Sequence, residues 1–247
     1  MKLAGKSAII TGAGRDIGAA AALKLASEGA SVAVNYFASS TGADEVVAKV
    51  TANGGKAFAL QGDLTQQDSV DALVNKTVEE FGGINVLVNN AGGLVARKTV
   101  AASTLEHWKY VMDLNLTSNF MMTNACLANM KSGAIVNLAS QAARDGGGAG
   151  SVPYATSKGA IMTLTRGLAK EIGPDIRVNG LCPGMIDTDF HNIHTPDAGR
   201  RGFEAAAPMK RQGTVEDVAN LVLFLACDDS AFITGTNIDL NGGIVFS

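Results

Sequence analysis

Short apolar or β-branched segments alternate with segments of helical periodicity along most of the chain, and this alternation limits the fold more than any other feature. The predicted strands are residues 7–11, 31–35, 57–61, 85–89, 134–139 and 177–181. The predicted helices are residues 17–28, 44–53, 69–81, 105–130, 154–172 and 215–226. Strands separated by helices pair in parallel through right-handed crossovers. We therefore expect an α/β fold with a doubly wound parallel sheet in three α/β/α layers.

Composition indicates one compact domain over residues 1–247 and narrows the class of partner. The chain is 47% hydrophobic and 17% charged, with a formal net charge of −3. Such a charge supplies no basic face for nucleic acid. The longest apolar helical segment, residues 221–227, is too short to cross a bilayer. We expect a small-molecule substrate, with neither nucleic acid nor membrane as partner.

Cysteine usage favours a reducing compartment. Cys126, Cys182 and Cys227 lie far apart and lack the close spacing of metal or redox motifs. Reduced thiols, and hence a cytoplasmic location, are the expectation. Gly5 and Lys6 interrupt the first apolar stretch, so we expect no signal peptide there.

A glycine-rich turn, residues 11–18, joins the first predicted strand to the first predicted helix. Gly12, Gly14 and Gly18 stand where a backbone turns tightly, approaches a pyrophosphate and packs a helix on a strand. Glycine also occurs in turns for steric reasons alone, so only the flanking strand and helix make this a dinucleotide site. The turn predicts a single NAD(P)-binding Rossmann-fold domain, with phosphates facing the helix N-terminus.

The end of the second predicted strand bears on the choice of cofactor. It reads Asn35-Tyr36 and offers no carboxylate to accept from ribose hydroxyls or to repel a 2′-phosphate. Arg15, Ser39 and Ser40 are near enough in sequence to contact such a phosphate. NADP(H) is therefore preferred, with NAD(H) as the alternative. Arg15 as a solvated charge and the serines as a helix cap are the competing interpretations.

Three further positions near the cofactor carry open alternatives. Asp16 favours a helix start but lies in the turn meant for phosphates, so we expect it to point away, toward Arg15. Asp63 follows the third strand and either accepts from an adenine amino group or caps the next helix. Residues 89–92, Asn-Asn-Ala-Gly, suit close approach to a ribose or form a simple turn.

Tyr154 and Lys158 stand four positions apart on a predicted helix and therefore share one face. A neighbouring ammonium favours the phenolate, which enables proton exchange near neutrality. The spacing alone often arises by chance on a solvated face. Ser140 strengthens it, because Ser140 ends a strand at the ligand-binding edge of the sheet. Asn115, inside an apolar helical segment, either braces a neighbouring carbonyl or holds a water that links Lys158 to solvent.

Together these features resemble the short-chain dehydrogenase/reductase family, and within it the 3-oxoacyl-(acyl carrier protein) reductase-like branch. The resemblance covers essentially the whole chain. The residues that carry it, besides the 11–18 turn and residues 89–92, are Asn115, Ser140, Tyr154-Ala155-Thr156-Ser157-Lys158, Pro183-Gly184 and Asn241-Gly242-Gly243.

The resemblance implies roles for these residues. Tyr154 would be the acid/base, and Ser140 would orient the substrate. Lys158 would bind the nicotinamide ribose and tune Tyr154, while Asn115 would anchor a proton relay. The residues expected to contact the dinucleotide are Gly12, Gly14, Arg15, Asp16, Ile17, Gly18, Tyr36, Ser39, Asp63, Leu64, Asn90, Ala91, Gly92, Tyr154, Lys158, Pro183, Gly184, Ile186 and Thr188. The residues expected to contact the substrate are Ser140, Gln141, Arg144 and Tyr154.

The sequence also departs from the family pattern. The family usually has a small residue where Asp16 stands, which bears on cofactor affinity. A glycine-rich loop at residues 146–148 alters the pocket between Ser140 and Tyr154. The family's members commonly form tetramers, and we expect a homotetramer supported by the apolar segment 221–226 and the C-terminal strand.

The alternation lapses between about residues 185 and 213, and this excursion follows the carboxyl end of a strand. Long excursions inside a compact domain are usually functional, so we expect a substrate lid here, with a solvated loop as the alternative. Six basic residues lie in segments that can reach the pocket mouth, with ordinary surface as the alternative: Arg97, Arg144, Arg200, Arg201, His191 and His194. The two histidines lack a third ligand, so we expect no metal.

The sequence thus predicts an oxidoreductase that transfers a hydride between NADP(H) and a carbonyl or secondary alcohol, in the direction of carbonyl reduction. One alternative is an NAD(H)-dependent enzyme acting on a sugar or an acidic keto-sugar. An alternative of another class is a catalytically silent dinucleotide-binding sensor on the same fold. A sensor would not need Ser140, Tyr154 and Lys158, and all three are present.

Overall fold

Seven parallel strands form one sheet in the order β3-β2-β1-β4-β5-β6-β7. The computed structural model describes residues 1–246. The strands are β1 (Ser7–Ile10), β2 (Ser31–Tyr36), β3 (Ala57–Gln61), β4 (Val86–Asn89), β5 (Gly133–Leu138), β6 (Ile176–Pro183) and β7 (Asn237–Leu240). The predicted doubly wound α/β fold in a single domain is therefore confirmed.

Helices cover both faces of the sheet. They are α1 (Asp16–Ser27), α2 (Ser40–Ala52), α3 (Gln67–Phe81), α4 (Leu105–Met112), α5 (Ser118–Leu127), α6 (Ala142–Asp145), α7 (Val152–Ile172), α8 (Asp189–His194), α9 (Asp197–Ala206) and α10 (Val215–Ala226). None of the helices in the described chain is both long and apolar enough to span a membrane.

The core lies in two layers because neighbouring strand residues point to opposite faces. Ile10 of β1 belongs to a cluster with buried residues of α1, α2 and α10. Its neighbour Ile9 belongs to a cluster with α3, α5 and α7. Both are fully buried, and burial of one such side chain contributes about 1.5–3 kcal/mol. Burial on both faces explains why these strands read as continuous apolar runs rather than as alternating ones.

The predicted helix at residues 105–130 is interrupted. A π-helical segment, Asp113–Thr117, separates α4 from α5. Inside it the Asn115 amide donates to the Val111 carbonyl at 2.9 Å, so a side chain takes an acceptor of the helix backbone. Single π turns of this kind are frequent at functional sites.

The excursion at residues 185–213 also differs from a plain loop, because it contains α8 and α9. A single bridge between Ile186 and Gly213 closes its base. The excursion thus leaves and rejoins the domain at one point, near the carboxyl end of β6. Strand order reverses between β1 and β4, and the carboxyl ends of strands at such a reversal are where ligands bind in open α/β sheets.

Candidate active site

A cavity of about 830 Å³ opens along the carboxyl ends of the strands. This volume is within the usual range for a small-molecule or cofactor site. The predicted residues that line it are Gly12, Gly14, Arg15, Asp16, Ile17, Gly18, Tyr36, Ser39, Asp63, Leu64, Asn90, Ala91, Gly92, Ser140, Gln141, Tyr154, Lys158, Pro183, Gly184, Ile186 and Thr188. The fold therefore brings the predicted cofactor and substrate positions into one space, except for Asn115 and Arg144.

The glycine-rich turn fits a closely approaching dinucleotide. Gly12 has φ +62°, a left-handed conformation that glycine adopts without strain. A Cβ on Gly18 would lie 2.4 Å from the carbonyl oxygen of Gly12, so the turn and helix α1 pack too tightly for any side chain there. The Asn90 amide donates to the carbonyls of Thr11 and Gly12, at 2.9 and 3.1 Å. The turn is thereby fixed beside the end of β4, with the N-terminus of α1 at the cavity.

Asn35, near the end of β2, has a structural role. Its amide oxygen accepts from the Gly12 N–H at 3.2 Å, and its amide nitrogen donates to the Gly62 carbonyl at 3.2 Å. It thus joins β2 to the turn and to the end of β3. Tyr36 and Ser39 line the cavity next to it, and Ser39 makes no side-chain capping bond to α2. This part of the wall carries hydroxyl and aromatic groups and no carboxylate between residues 35 and 40.

Arg15 and Asp16 turn toward the excursion. The Asp189 N–H donates to an Asp16 carboxylate oxygen at 3.3 Å, and Arg15 Nη1 lies 3.2 Å from the Asp189 carboxylate. The predicted contact between Arg15 and Asp16 is present but longer, at 3.7 Å. Burial raises the pKa of Asp16, an effect that the bond from the Asp189 N–H opposes. Both side chains therefore link the cofactor turn to α8.

Asp63 does not cap the following helix. One of its oxygens accepts from the Thr65 N–H at 3.0 Å and from the Thr65 hydroxyl at 2.8 Å. Helix α3 begins two residues later, and Gln66, at its N-cap position, makes no side-chain capping bond. Asp63 instead stiffens a turn on the cavity wall.

Ser140, Tyr154 and Lys158 meet at the other end of the cavity. Ser140 follows β5, accepts from the Ala142 N–H at 3.1 Å and donates its hydroxyl to the phenol of Tyr154. Lys158 Nζ donates to the Leu138 carbonyl at 2.6 Å and lies 5.8 Å from the centroid of the Tyr154 ring. Strand β5 thus supplies an anchor for two side chains that project from one face of α7.

Burial decides the ionisation of this group. It raises the pKa of Tyr154, and the hydrogen bond from Ser140 only partly opposes that effect. It lowers the pKa of Lys158 to about 8. The sequence predicted that the ammonium would lower the pKa of the phenol, whereas in the structure burial raises it. Desolvation of the phenol is the largest cause, and the lysine nitrogen is held against the Leu138 carbonyl.

Asn115 lies behind this group, outside the cavity lining. Its amide nitrogen donates to the carbonyls of Gly93 and Val111, both at 2.9 Å, and its oxygen accepts from the Gly93 N–H at 2.9 Å. A Cβ on Gly92 would lie 2.5 Å from that oxygen and 3.3 Å from Lys158 Nζ. The structural brace, one of two interpretations left open by the sequence, is thus present.

Sequence reasoning missed Phe190 of α8. Its ring packs on Tyr154 with centroids 5.8 Å apart, and on His191 and His194 at 5.0 and 5.2 Å. The available signal was an aromatic residue between the polar residues Asp189 and His191. Val95 was also missed. It lines the cavity at φ +65°, a strained conformation for a β-branched residue that is typical of functional sites.

Arg144 was wrongly predicted to contact the substrate. It is absent from the cavity lining, and its Nε lies 3.0 Å from the Asp239 carboxylate on β7. Its Nη2 donates to the Asn237 carbonyl at 2.7 Å. The guanidinium therefore ties α6 to β7 at the edge of the sheet. The sequence around Arg144 does not indicate this contact, because its partner Asp239 lies far along the chain.

Fewer charged residues line the cavity than the sequence suggested. Arg200 is bonded to Asp187 and Gln212 and, like Arg201, does not line the cavity. Burial, with help from nearby Arg200 and Arg97, lowers the pKa of His191 to about 4, and burial also lowers that of His194. Both histidines line the cavity as neutral rings at neutral pH. Arg97 and Arg15 remain as the lining arginines of the described chain.

The three cysteines are free and buried. Across residues 1–246, no three or more His, Cys, Asp or Glu side chains gather as a metal site would require.

A glycine-rich turn at the switch point of a doubly wound sheet, in one cavity with Ser140, Tyr154 and Lys158, defines a nicotinamide dinucleotide-dependent oxidoreductase. A family model described as enoyl-(acyl carrier protein) reductase matches residues 12–245. With the relatives described next, this match shows that the chain belongs to the short-chain dehydrogenase/reductase family, as its sequence predicted.

Known proteins resemble the chain over its full length. A 3-oxoacyl-(acyl-carrier-protein) reductase of Synechocystis sp. is 41% identical, and the match covers 98% of each chain. A blue fluorescent protein from a metagenomic library, solved in complex with NADPH, has a TM-score of 0.93 and 34% identity over 100% of both chains. A short chain dehydrogenase of Burkholderia cenocepacia, solved in complex with NADP, has a TM-score of 0.93 and 34% identity over 99% of both.

Proposed function

We propose that the protein is an NADP(H)-dependent carbonyl reductase whose substrates are 3-oxoacyl thioesters or closely related ketones. The observation that carries this proposal is the convergence of Ser140, Tyr154 and Lys158 at one end of the cavity, where Lys158 Nζ lies 5.8 Å from the centroid of the Tyr154 ring. A phenol whose pKa is raised keeps its proton at neutral pH and is therefore ready to protonate a carbonyl oxygen. The likeness to a 3-oxoacyl-(acyl-carrier-protein) reductase supports the class of substrate.

In this mechanism Ser140 and Tyr154 bind the oxygen of the substrate carbonyl. When the carbonyl oxygen binds, the Ser140 hydroxyl donates to it instead of to the phenol, so the oxygen receives one hydrogen bond from each residue, and both bonds strengthen as it gains negative charge. As the carbonyl carbon is reduced, Tyr154 transfers its proton to the oxygen and the product is an alcohol. The Lys158 ammonium then faces the phenolate and stabilises it until a proton returns from solvent. Asn115 keeps Gly92 and Gly93 in place behind Lys158.

The residues present fit the dinucleotide. The turn at residues 12–18 would hold the pyrophosphate, and Asn90, Ala91 and Gly92 would line the ribose. Lys158 would bind the nicotinamide ribose, with Ile186 and Thr188 beside the carboxamide. When bound, the dinucleotide supplies the hydride for reduction.

The preference for NADP(H) has an electrostatic basis. Residues 35–40 offer no carboxylate to a 2′-phosphate, while Tyr36, Ser39 and Arg15 line the cavity there. Arg15 is bonded to Asp189, so a phosphate would share the guanidinium with that carboxylate. The complexes of two structural neighbours with NADPH and NADP are consistent with this preference.

The test is turnover of a panel of 3-oxoacyl thioesters, ketones, acidic keto-sugars and enoyl thioesters with NADPH and with NADH. We expect 3-oxoacyl thioesters with NADPH to be best. Tyr154→Phe should lower kcat by about 10²–10⁴-fold, because general acid catalysis contributes that much. Its affinity for NADPH and its melting temperature should match those of wild type, which controls for folding.

Four results would contradict the proposal. A Tyr154→Phe variant as fast as wild type would remove the assigned acid. Tighter binding and faster turnover with NADH and a keto-sugar would favour the alternative dehydrogenase. Binding of dinucleotide without turnover of any compound would favour a sensor. Reduction of enoyl thioesters alone would instead support the reaction named in the matching family model.

We also propose that the protein is a cytoplasmic homotetramer. The apolar residues of α10 that were expected to support assembly, such as Val222 and Leu225, are buried in the core. Strand β7 lies at the edge of the sheet, and Leu105, Trp108 and Phe120 of α4 and α5 are exposed. These surfaces support assembly better than α10 does, and light scattering measures the assembly directly.

A further inference from the structure

We infer that Asp16 is a positioning residue, which holds helix α8 from the cofactor turn so that Phe190 stays packed on Tyr154. The effect on turnover rests on the proposed role of Tyr154. The contact between Asp16 and α8 does not.

The N-terminus of α8 is capped by the side chain of Asp16. Thr188 occupies the N-cap position, but its hydroxyl donates to the Ile186 carbonyl at 3.1 Å and makes no capping bond. The Asp16 carboxylate, from the distant glycine-rich turn, accepts the Asp189 N–H instead. Capping oxygens stabilise a helix start by satisfying such free N–H groups.

The backbone conformation of Asp16 is one that disfavours an aspartate, so a favourable contact of its side chain must compensate. Asp16 has φ +50°, a left-handed conformation that a glycine would adopt without strain. Its side chain is largely enclosed, 27% exposed, and lies among the carboxylates of Asp187 and Asp189. Arg15 contacts Asp189 and Asp16 and so offsets the repulsion between these two carboxylates. Strain and repulsion both oppose an aspartate here, whereas its bond to α8 favours one.

The C-terminus of α8 is held by Arg97, independently of Asp16. Arg97 Nε donates to the His194 carbonyl at 3.0 Å, and Arg97 Nη1 donates to the Ala149 carbonyl at 3.1 Å. The helix is therefore tied at its start to the cofactor turn and at its end, through Arg97, to Ala149 next to the glycine-rich loop. Phe190 lies between these ties and packs on Tyr154. Release of either end would let Phe190 move and would admit water to the phenol.

The experiment compares backbone hydrogen exchange at residues 189–195 in wild type, Asp16→Gly and Asp16→Asn. Asp16→Gly removes the acceptor and also the backbone strain, so we expect exchange there to rise about fivefold or more while the melting temperature is kept. Asp16→Asn retains an oxygen acceptor and should restore most of the protection. Asp197→Asn, at an exposed first position of α9, is the matched control and should behave as wild type.

Turnover supplies the second measurement. Asp16→Gly should lower kcat for the carbonyl substrate by about fivefold, with NADPH affinity within about twofold of wild type, and Asp16→Asn should rescue it. Unchanged exchange in Asp16→Gly would overturn the inference, whatever the turnover. Raised exchange with unchanged kcat would overturn the positioning role, and a loss confined to NADPH affinity would make Asp16 a cofactor residue. Hydrogen exchange is measured without substrate. The contact between Asp16 and α8 can therefore be tested even if the proposed function is wrong.

Discussion

Burial acts in opposite directions on the two ionisable residues of the site. It raises the pKa of Tyr154 and lowers that of Lys158 to about 8, so each neutral form is favoured. At neutral pH Tyr154 still carries its proton and Lys158 is still mostly charged. The arrangement therefore offers a proton donor to a carbonyl and an ammonium to the phenolate that donation leaves behind.

Lys158 should make stability depend on pH. Its pKa is near 8 in the folded protein and near the ordinary 10.5 in the unfolded chain. Between these values the unfolded chain binds more protons, so stability rises with pH. From about pH 7.5 to about pH 9.5, the free energy of unfolding of wild type should rise by about 2 kcal/mol relative to Lys158→Met.

Denaturant titration at several pH values measures this difference. Lys170, exposed on the same helix, gives the control variant Lys170→Met, which should keep the wild-type pH dependence. Parallel pH profiles for wild type and Lys158→Met would show that Lys158 is not desolvated as described.

At the residue scale, sequence predicted what is local. Ser140 at a strand end and Tyr154 and Lys158 on one helix face follow from spacing alone. The raised pKa of Tyr154 does not, because it depends on burial that tertiary contacts such as that with Phe190 create. Arg144 was misplaced for the same reason, since its partner Asp239 lies in the last strand.

At the scale of elements, α6 and β7 are joined by a largely buried ion pair. The side chains of Arg144 and Asp239 are 16% and 15% exposed. Loss of one partner leaves the other buried and unpaired, so Arg144→Met should lower the free energy of unfolding by about 1–3 kcal/mol. The KM for the carbonyl substrate should stay within about twofold of wild type, because Arg144 does not line the cavity.

Chemical denaturation and steady-state kinetics together check this prediction. Arg201→Met, at an exposed arginine, should leave stability unchanged. Asp239→Asn should cost about as much as Arg144→Met, and the double variant less than the sum, because the two residues share one contact. A large rise in KM with no loss of stability would instead indicate that Arg144 contacts the substrate.

Most elements were predictable because their signals are local. The helix Val215–Ala226 has the predicted bounds, and Thr214 and Asp217 form a capping box at its start. The π turn at Asp113–Thr117 was not predictable, because helical periodicity does not show that Asn115 takes a backbone acceptor. Helix α8 was missed because contacts with Asp16 and Arg97, distant in sequence, hold its two ends.

At the scale of the whole molecule, one cavity joins the two halves of the reaction. The turn after β1 and the ends of β2, β3 and β4 form the part suited to a dinucleotide, and the end of β5 with α7 forms the part suited to a carbonyl. Helix α8 contacts both parts, through Asp16 and through Tyr154. Parallel topology brings these distant segments to one edge of the sheet.

The central claim is that a carbonyl carbon is reduced while its oxygen is held by Ser140 and Tyr154. The most direct measurement uses NADPH deuterated at the transferring position with a 3-oxoacyl thioester, followed by mass spectrometry and NMR of the product. The account predicts one deuterium on C3 of a 3-hydroxyacyl thioester, formed by wild type and nearly lost in Tyr154→Phe. Deuterium in a saturated chain from an enoyl thioester, or no transfer to any carbonyl carbon, would contradict it.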